Sequence, residues 1–91
     1  MAEQQEQVFM ILVAQMEFGA LVSLGVAENP ATHEKKRDPQ AAQMFIDQLE
    51  MLKARTAGNL SERESKALDE SLYRVRMLFV ETSGKRAGEG G

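Results

Sequence analysis

The sequence contains no cysteine and no tryptophan, and it has a single histidine. Without cysteine the chain can form neither a disulfide nor a thiolate metal site, so its stability must come from packing or association. Its 91 residues are enough for one domain with a modest core and too few for two. These limits favour a cytoplasmic protein that associates with other chains.

Positive charge is also scarce. The chain has 11 Lys and Arg against 14 Asp and Glu, a formal net charge of -3, whereas nucleic-acid-binding proteins usually carry a concentrated basic surface. The acidic start of the chain lacks the positively charged region of a secretory signal, and no small-residue cleavage site follows the apolar run. We therefore expect neither export nor nucleic-acid binding.

Motifs that carry chemistry are missing as well. The sequence has no phosphate-binding loop, no zinc-protease helix and no nucleophile motif, so we predict a non-enzyme without catalytic residues, cofactor or metal. His33 is interpreted as a solvated loop residue, because a metal site needs three or four convergent ligands. The three basic residues from Lys35 to Arg37 are flanked by Glu34 and Asp38, which cancel much of their field. Together with Lys85 and Arg86, they are the residues that a nucleic-acid-binding protein would use.

Local signals predict three helices and no strand. The first spans about residues 3–25, a stretch rich in strong helix formers, and a charged loop with an Asn29-Pro30 turn follows. The second spans about 39–57, because Asp38 can cap its first amides and Pro39 fits the first helical position. Gly58 can adopt the left-handed conformation that ends it.

The third helix is predicted over about residues 62–82. It follows a capping box, in which Ser61 bonds the amide of Glu64 and Glu64 reaches back to the amide of Ser61. Residues 83–91 contain too little apolar surface to bury, so we expect a disordered tail. The predicted domain is therefore 1–82, an all-α fold with three helices per chain.

Apolar stripes on the second and third helices predict an antiparallel hairpin, since each recurs with helical spacing. The stripe on the second helix contains Ala42, Phe45, Ile46, Leu49, Leu52 and Thr56, and the stripe on the third contains Leu68, Leu72, Val75 and Phe79. The first helix must close this core.

That first helix is apolar around most of its circumference, although a two-helix hairpin can cover only one of its faces. One face holds Phe9, Leu12, Val13, Met16, Ala20 and Leu24, and the opposite face holds Ile11, Ala14, Phe18, Leu21 and Val22. A strip of small residues that includes Gly19 and Ser23 could allow another helix to approach closely, and a minor apolar stripe lies on the third helix. The predicted interface therefore comprises Ile11, Ala14, Phe18, Gly19, Leu21, Val22, Ser23, Tyr73, Met77 and Val80.

A membrane-spanning first helix is the structural alternative, because residues 8–26 approach the ~20 residues that a bilayer requires. Glu17 lies at the midpoint of that segment, where an acid costs ~2.5 to 3.5 kcal/mol on insertion scales. We instead expect Glu17 to reach solvent at the helix edge or to pair with a basic residue; a buried carboxyl with a raised pKa is the other reading.

Specific runs of sequence resemble a bacterial family of short proteins known as domain of unknown function 1844. They extend from Ile46 to Leu52, from Arg55 to Ser61 and from Leu72 to Met77, and the Gly-Asn-Leu-Ser junction at 58–61 is the most specific piece. The resemblance covers about Phe9 to Glu81. It implies a small helical bacterial protein, and no reaction can be carried over from it.

Two functions fit these features best, and nucleic-acid binding through Lys35–Arg37 and the Lys85-Arg86 tail is a less favoured third. The first is a self-associating helical scaffold or adaptor, with a homodimer through the first helix favoured. The second is a binding module that accepts an amphipathic helix of another protein in a methionine-bearing groove, because flexible thioether side chains suit adaptable surfaces.

Overall fold

The computed structural model describes the backbone of residues 2–90 and the side chains of residues 2–83. It contains three helices, α1 (Ala2–Ser23), α2 (Pro39–Arg55) and α3 (Glu62–Gly90), and no strand within that part of the chain. The predicted fold class, an all-α domain with a long first helix, is confirmed.

The loop between α1 and α2 returns to the point where α1 ends. The Asp38 amide donates a hydrogen bond to the carbonyl oxygen of Ser23 at 2.7 Å. Asp38 then caps α2, since its carboxylate accepts a hydrogen bond from the Ala41 amide at 3.1 Å, and Pro39 is the first helical residue. Because α2 begins beside the end of α1, the two helices run antiparallel.

The turn between α2 and α3 is built from the residues that predicted it. Gly58 has a φ of 84°, a conformation that L side chains rarely adopt. The Glu64 amide donates to Ser61 Oγ at 3.2 Å, and the Ser61 amide donates to Glu64 Oε1 at 2.8 Å. This reciprocal capping box fixes the start of α3, which therefore runs antiparallel to α2 and parallel to α1.

All three helices contribute to one core. The predicted stripes of α2 and α3 face each other, and α1 closes the space between them with one side. Leu12 is an exception, because it was expected in the core and is exposed. The buried apolar residues are Val13, Ala20, Leu24, Ala42, Ile46, Leu49, Leu68, Leu72 and Val75.

The C-terminal ends of the helices differ from the predicted ones by two to eight residues. α1 ends at Ser23 and α2 at Arg55, each about two residues earlier than expected, because loop bonds replace the last helical turn there. α3 continues to Gly90, beyond the predicted end near Thr82. The sequence predicts that residues 83–91 are disordered. The side chains of residues 84–91 lie outside the described part of the chain, so that expectation stays a prediction.

Candidate functional site

The side of α1 that faces away from the core is apolar and open. Ile11 is 58% exposed and Phe18 is 46% exposed; Ala14 is exposed as well, while Leu21 and Val22 are half-buried. Single exposed apolar residues are ordinary, but these five recur with helical spacing along one side of a helix and form a continuous strip, which is typical of an interaction site. We call them the α1 outer face.

Spacing along this face matches a coiled-coil seam. Ile11, Ala14, Phe18 and Leu21 are separated by three, four and three residues, the alternation of positions that face a partner helix in a coiled coil. The four residues span about 2.8 helical turns, or roughly one and a half heptads. The α1 outer face can therefore receive another helix along its length.

Two residues of the predicted interface, Gly19 and Ser23, also make contacts within the chain. A Cβ built on Gly19 would lie 2.5 Å from the Cε1 and Cζ atoms of Phe45, so glycine allows α1 to approach α2 closely. Ser23 is half-buried, and its carbonyl oxygen bonds Asp38. Gly19 therefore faces the chain's own second helix, whereas the assignment of Ser23 to a contact between copies stays a prediction.

Glu17 pairs with a basic residue, which is one of the two placements that we expected for it. Its carboxylate accepts two hydrogen bonds from Arg74, at 2.9 Å from Nε and 2.8 Å from Nη2, and the side chains are 18% and 54% exposed, respectively. These hydrogen bonds hold the pKa of Glu17 below its ordinary value, although partial burial acts in the opposite direction. The ion pair fixes the register between α1 and α3.

Ser71 lies at the same contact. Its hydroxyl is fully buried and makes no hydrogen bond of ordinary length with the described residues, yet it also favours the charged form of Glu17 and helps to lower the pKa of that carboxyl. The same pairing raises the pKa of Arg74 through the hydrogen bond to Glu17. The Glu17–Arg74 pair has the geometry of a two-point salt bridge that joins α1 to α3.

Replacing Glu17 with glutamine is expected to lower the free energy of unfolding at pH 7 by roughly 0.5 to 1 kcal/mol, because Arg74 is half exposed and solvent screens the pair. A lowered folded-state pKa contributes stability above the unfolded pKa of about 4.3, and that contribution is lost as the pH falls through the folded-state value. Urea titrations from pH 7 to pH 2 should therefore show the two proteins converging in acid.

The matched control for this substitution is Glu50→Gln. Glu50 pairs with Arg76 on the surface, and both side chains are about half exposed, so the variant should lose less stability at pH 7. An equal loss in the two variants, or a Glu17→Gln deficit that persists at pH 2, would contradict the role given to Glu17.

A second apolar surface lies on α3. Tyr73, Met77 and Val80 are spaced at i, i+4 and i+7 and are 66%, 50% and 67% exposed. At about 100° per residue, they lie nearly opposite the buried Val75 and roughly a quarter turn or more from Leu72, and therefore point away from the core. We call Tyr73, Met77 and Val80 the α3 stripe. The predicted interface thus separates into two surfaces on different helices.

A groove at the open end of the bundle was missed by sequence reasoning. It has a volume of about 510 Å³ and is bordered by Val8, Phe9 and Leu12 of α1 and by Glu64 at the start of α3. Leu12 borders this groove because its side chain is exposed and is not packed in the core. The helical pattern alone assigned Leu12 to the core, because periodicity does not show where the neighbouring helices end.

The loop residues that were candidates for binding a metal ion or phosphate do not converge on one site. His33 has a φ of 60°, and its Nδ1 lies 3.2 Å from Glu28 Oε1 on the surface. Arg37 donates from Nη2 to Ser83 Oγ at 2.9 Å, which joins the loop to α3, while Lys35 and Lys36 are exposed. Among the described residues no three potential metal ligands lie together. Lys85 and Arg86 have side chains outside that part of the chain.

By length and composition α1 is a helix that could cross a membrane, and it is the one such helix among the described residues. Most of its side chains are open in the single chain. Core helices of soluble proteins and N-terminal signal sequences meet the same criterion of length and composition. Hydropathy therefore does not distinguish a membrane span from a helix that packs against protein.

Comparisons with known proteins identify a family. A family model described as "Domain of unknown function (DUF1844)" matches residues 6–81. Searches of curated proteins and of solved structures each found no match. The matched range includes the whole of α2, the α1 outer face and the α3 stripe.

Proposed function

We propose that this chain, which belongs to the DUF1844 family, is a non-enzymatic cytoplasmic adaptor that forms a homodimer through the α1 outer face and presents the α3 stripe to another protein. The observation that supports this proposal most directly is the exposure of Ile11 and Phe18 at coiled-coil spacing. Burial of apolar side chains is worth about 25 cal/mol per Å², and in a single chain this face leaves that free energy unused.

A second copy is the occupant that the chain itself supplies. Two-fold homodimers are the commonest assemblies of small proteins, and in them one self-complementary surface is sufficient. Cross-links cannot compensate for a modest core, since the chain has no cysteine, and association is then a common source of stability. Both considerations support dimerisation.

The α3 stripe supports the adaptor part of the proposal. It lies on a different helix, so a dimer formed through α1 leaves it accessible. Tyr and Met are common at the centres of protein interfaces, and an amphipathic helix is recognised by anchors at this spacing. If α1 stayed monomeric, the same stripe would support the alternative function, a binding module for a helix of another protein.

Membrane insertion has weaker support than dimerisation. Arg74 holds Glu17 at the middle of α1, so insertion of α1 alone would break this pair and place the acid in hydrocarbon, which is costly. Attachment to a membrane surface usually requires a basic polar face. Residues 1–34 contain no Lys or Arg.

The test is the molar mass of the purified protein in solution. Sedimentation equilibrium at micromolar concentrations should give twice the 10.1 kDa of one chain, with dissociation on dilution. A monomer at every concentration would overturn the dimer, and a monomer that sediments with lipid vesicles would favour the membrane alternative. For the adaptor part, charge substitutions at Tyr73 and Met77 should preserve the dimer mass and abolish capture of any partner protein.

A further inference from the structure

We infer that the second copy docks antiparallel, so that Phe18 of each protomer packs on Ala14 of the other. This orientation rests on the proposed dimer and adds the direction of the partner helix. Two independent features of α1 support it, the sizes of the residues along the seam and the distribution of charge between its two ends.

Residue size favours the antiparallel orientation. In a parallel dimer each seam residue meets its own copy, so two Phe18 rings would crowd one layer and two Ala14 methyl groups would leave space in the adjacent layer. Protein interiors are close-packed, and both crowding and cavities are costly. In an antiparallel dimer each large side chain lies over a small one, and two-fold symmetry repeats the match.

The remaining seam residues then pair without change of register. An axis at the level of residue 16 relates position 14 to position 18 and position 11 to position 21. Ile11 of one protomer therefore meets Leu21 of the other, two aliphatic residues of similar volume. Since α-helices rise about 1.5 Å per residue, the two copies of Ile11 lie about 15 Å apart along the helix axes.

The distribution of charge along α1 also favours the antiparallel orientation of the partner helix. The beginning of α1 carries Glu3 and Glu6 and no basic residue, since Lys35 is the first Lys or Arg in the chain. Lys35 and Lys36 are exposed and lie at the other end of α1, because the nearby Asp38 bonds Ser23. A parallel dimer brings four carboxylates together at one end. An antiparallel dimer separates the two acidic ends and avoids this repulsion. Because Glu34 and Asp38 offset much of the field of the neighbouring lysines, the preference rests on avoided repulsion, which sets orientation more than affinity.

Single cysteines provide the test, because the natural chain has none. We would prepare Ile11→Cys and Leu21→Cys, confirm their dimer mass under reducing conditions, and oxidise each alone and in an equimolar mixture after subunit exchange. Disulfides require Cα separations of roughly 4.4–6.8 Å, so the mixture should give at least about ten times as much cross-linked dimer as either variant alone. Efficient cross-linking of each variant with itself would overturn the orientation.

A second measurement leaves the apolar seam intact. Glu3→Gln combined with Glu6→Gln should leave the dissociation constant of an antiparallel dimer within about 1.4-fold of that of the unmodified protein, because the two acidic ends lie apart in it. A larger fall in that constant would indicate relief of repulsion in a parallel dimer and would overturn the orientation. Failure of the proposed function is distinguishable, because the unmodified protein would then be monomeric in sedimentation before any cross-linking is attempted.

Discussion

Replacing Phe18 with glutamate is expected to convert the proposed dimer to monomers, with a dissociation constant about a thousandfold higher. Phe18 lies in the middle of the α1 outer face and is 46% exposed in the single chain, so the fold of one protomer should tolerate the change. In the dimer the glutamate would replace the largest side chain of the seam and lose its water without gaining an ionic partner.

The magnitude follows from symmetry. Central aromatic residues of an interface commonly contribute about 2 kcal/mol or more when removed. A two-fold dimer carries the substitution twice, so the loss reaches about 4 kcal/mol, and each 1.4 kcal/mol is a factor of about ten. Sedimentation at a series of concentrations measures this shift directly, and circular dichroism checks that the helices remain.

Met44→Glu is the matched control. Met44 is an exposed apolar residue of α2, and the change adds the same charge outside the α1 outer face, so the dimer mass should be unchanged. Dissociation by Met44→Glu together with an intact Phe18→Glu dimer would place the contact between copies on another surface.

The starts of α2 and α3 and the turn between them could be predicted because their causes are local. The carboxylate of Asp38, the positive φ of Gly58 and the reciprocal bonds between Ser61 and Glu64 act within a few residues of sequence. The core stripes could be predicted for a similar reason, since helical periodicity shows which side chains share a face. Both kinds of signal are present before any tertiary contact forms.

The directions of the neighbouring helices could not be predicted in this way. A pattern of apolar residues shows that α1 has two faces, but it does not show that Gly19 contacts Phe45 or that Leu12 lies beside an open groove. Glu17 illustrates the same limit. Its position on an apolar helix predicted solvent or a basic partner, and only the packing of α1 beside α3 selects Arg74.

Separation of the predicted interface into two surfaces has the same origin. The sequence places Phe18 and Tyr73 on apolar stripes of two helices, and without a fold such stripes can be read as parts of one patch. In the bundle the neighbouring Arg74 turns toward α1, while Tyr73 lies on the side of α3 opposite the core. The two surfaces therefore lie on different helices, and this separation is the feature that the adaptor proposal rests on.

Replacing Gly19 with leucine is expected to lower the free energy of unfolding by about 2 to 3 kcal/mol, the upper part of the range for overpacked sites. In an open helical position the same change would stabilise by nearly 1 kcal/mol, because leucine is a much better helix former than glycine. Here even the first added carbon would lie 2.5 Å from the ring of Phe45, so α1 and α2 must move apart.

A double-mutant cycle with Phe45→Ala separates this contact from other effects. Phe45→Ala alone removes part of the core, but in the double variant the leucine at position 19 can occupy the space that the ring leaves. The double variant should therefore be more stable than the sum of the single changes predicts, by about 2 kcal/mol, which is within the range for directly contacting residues. Thermal melts at one fixed protein concentration measure the cycle, because dimerisation makes the melting temperature depend on concentration. Additive changes would show that α1 and α2 do not meet at Gly19 and Phe45, and they would return Gly19 to the surface available to a second copy.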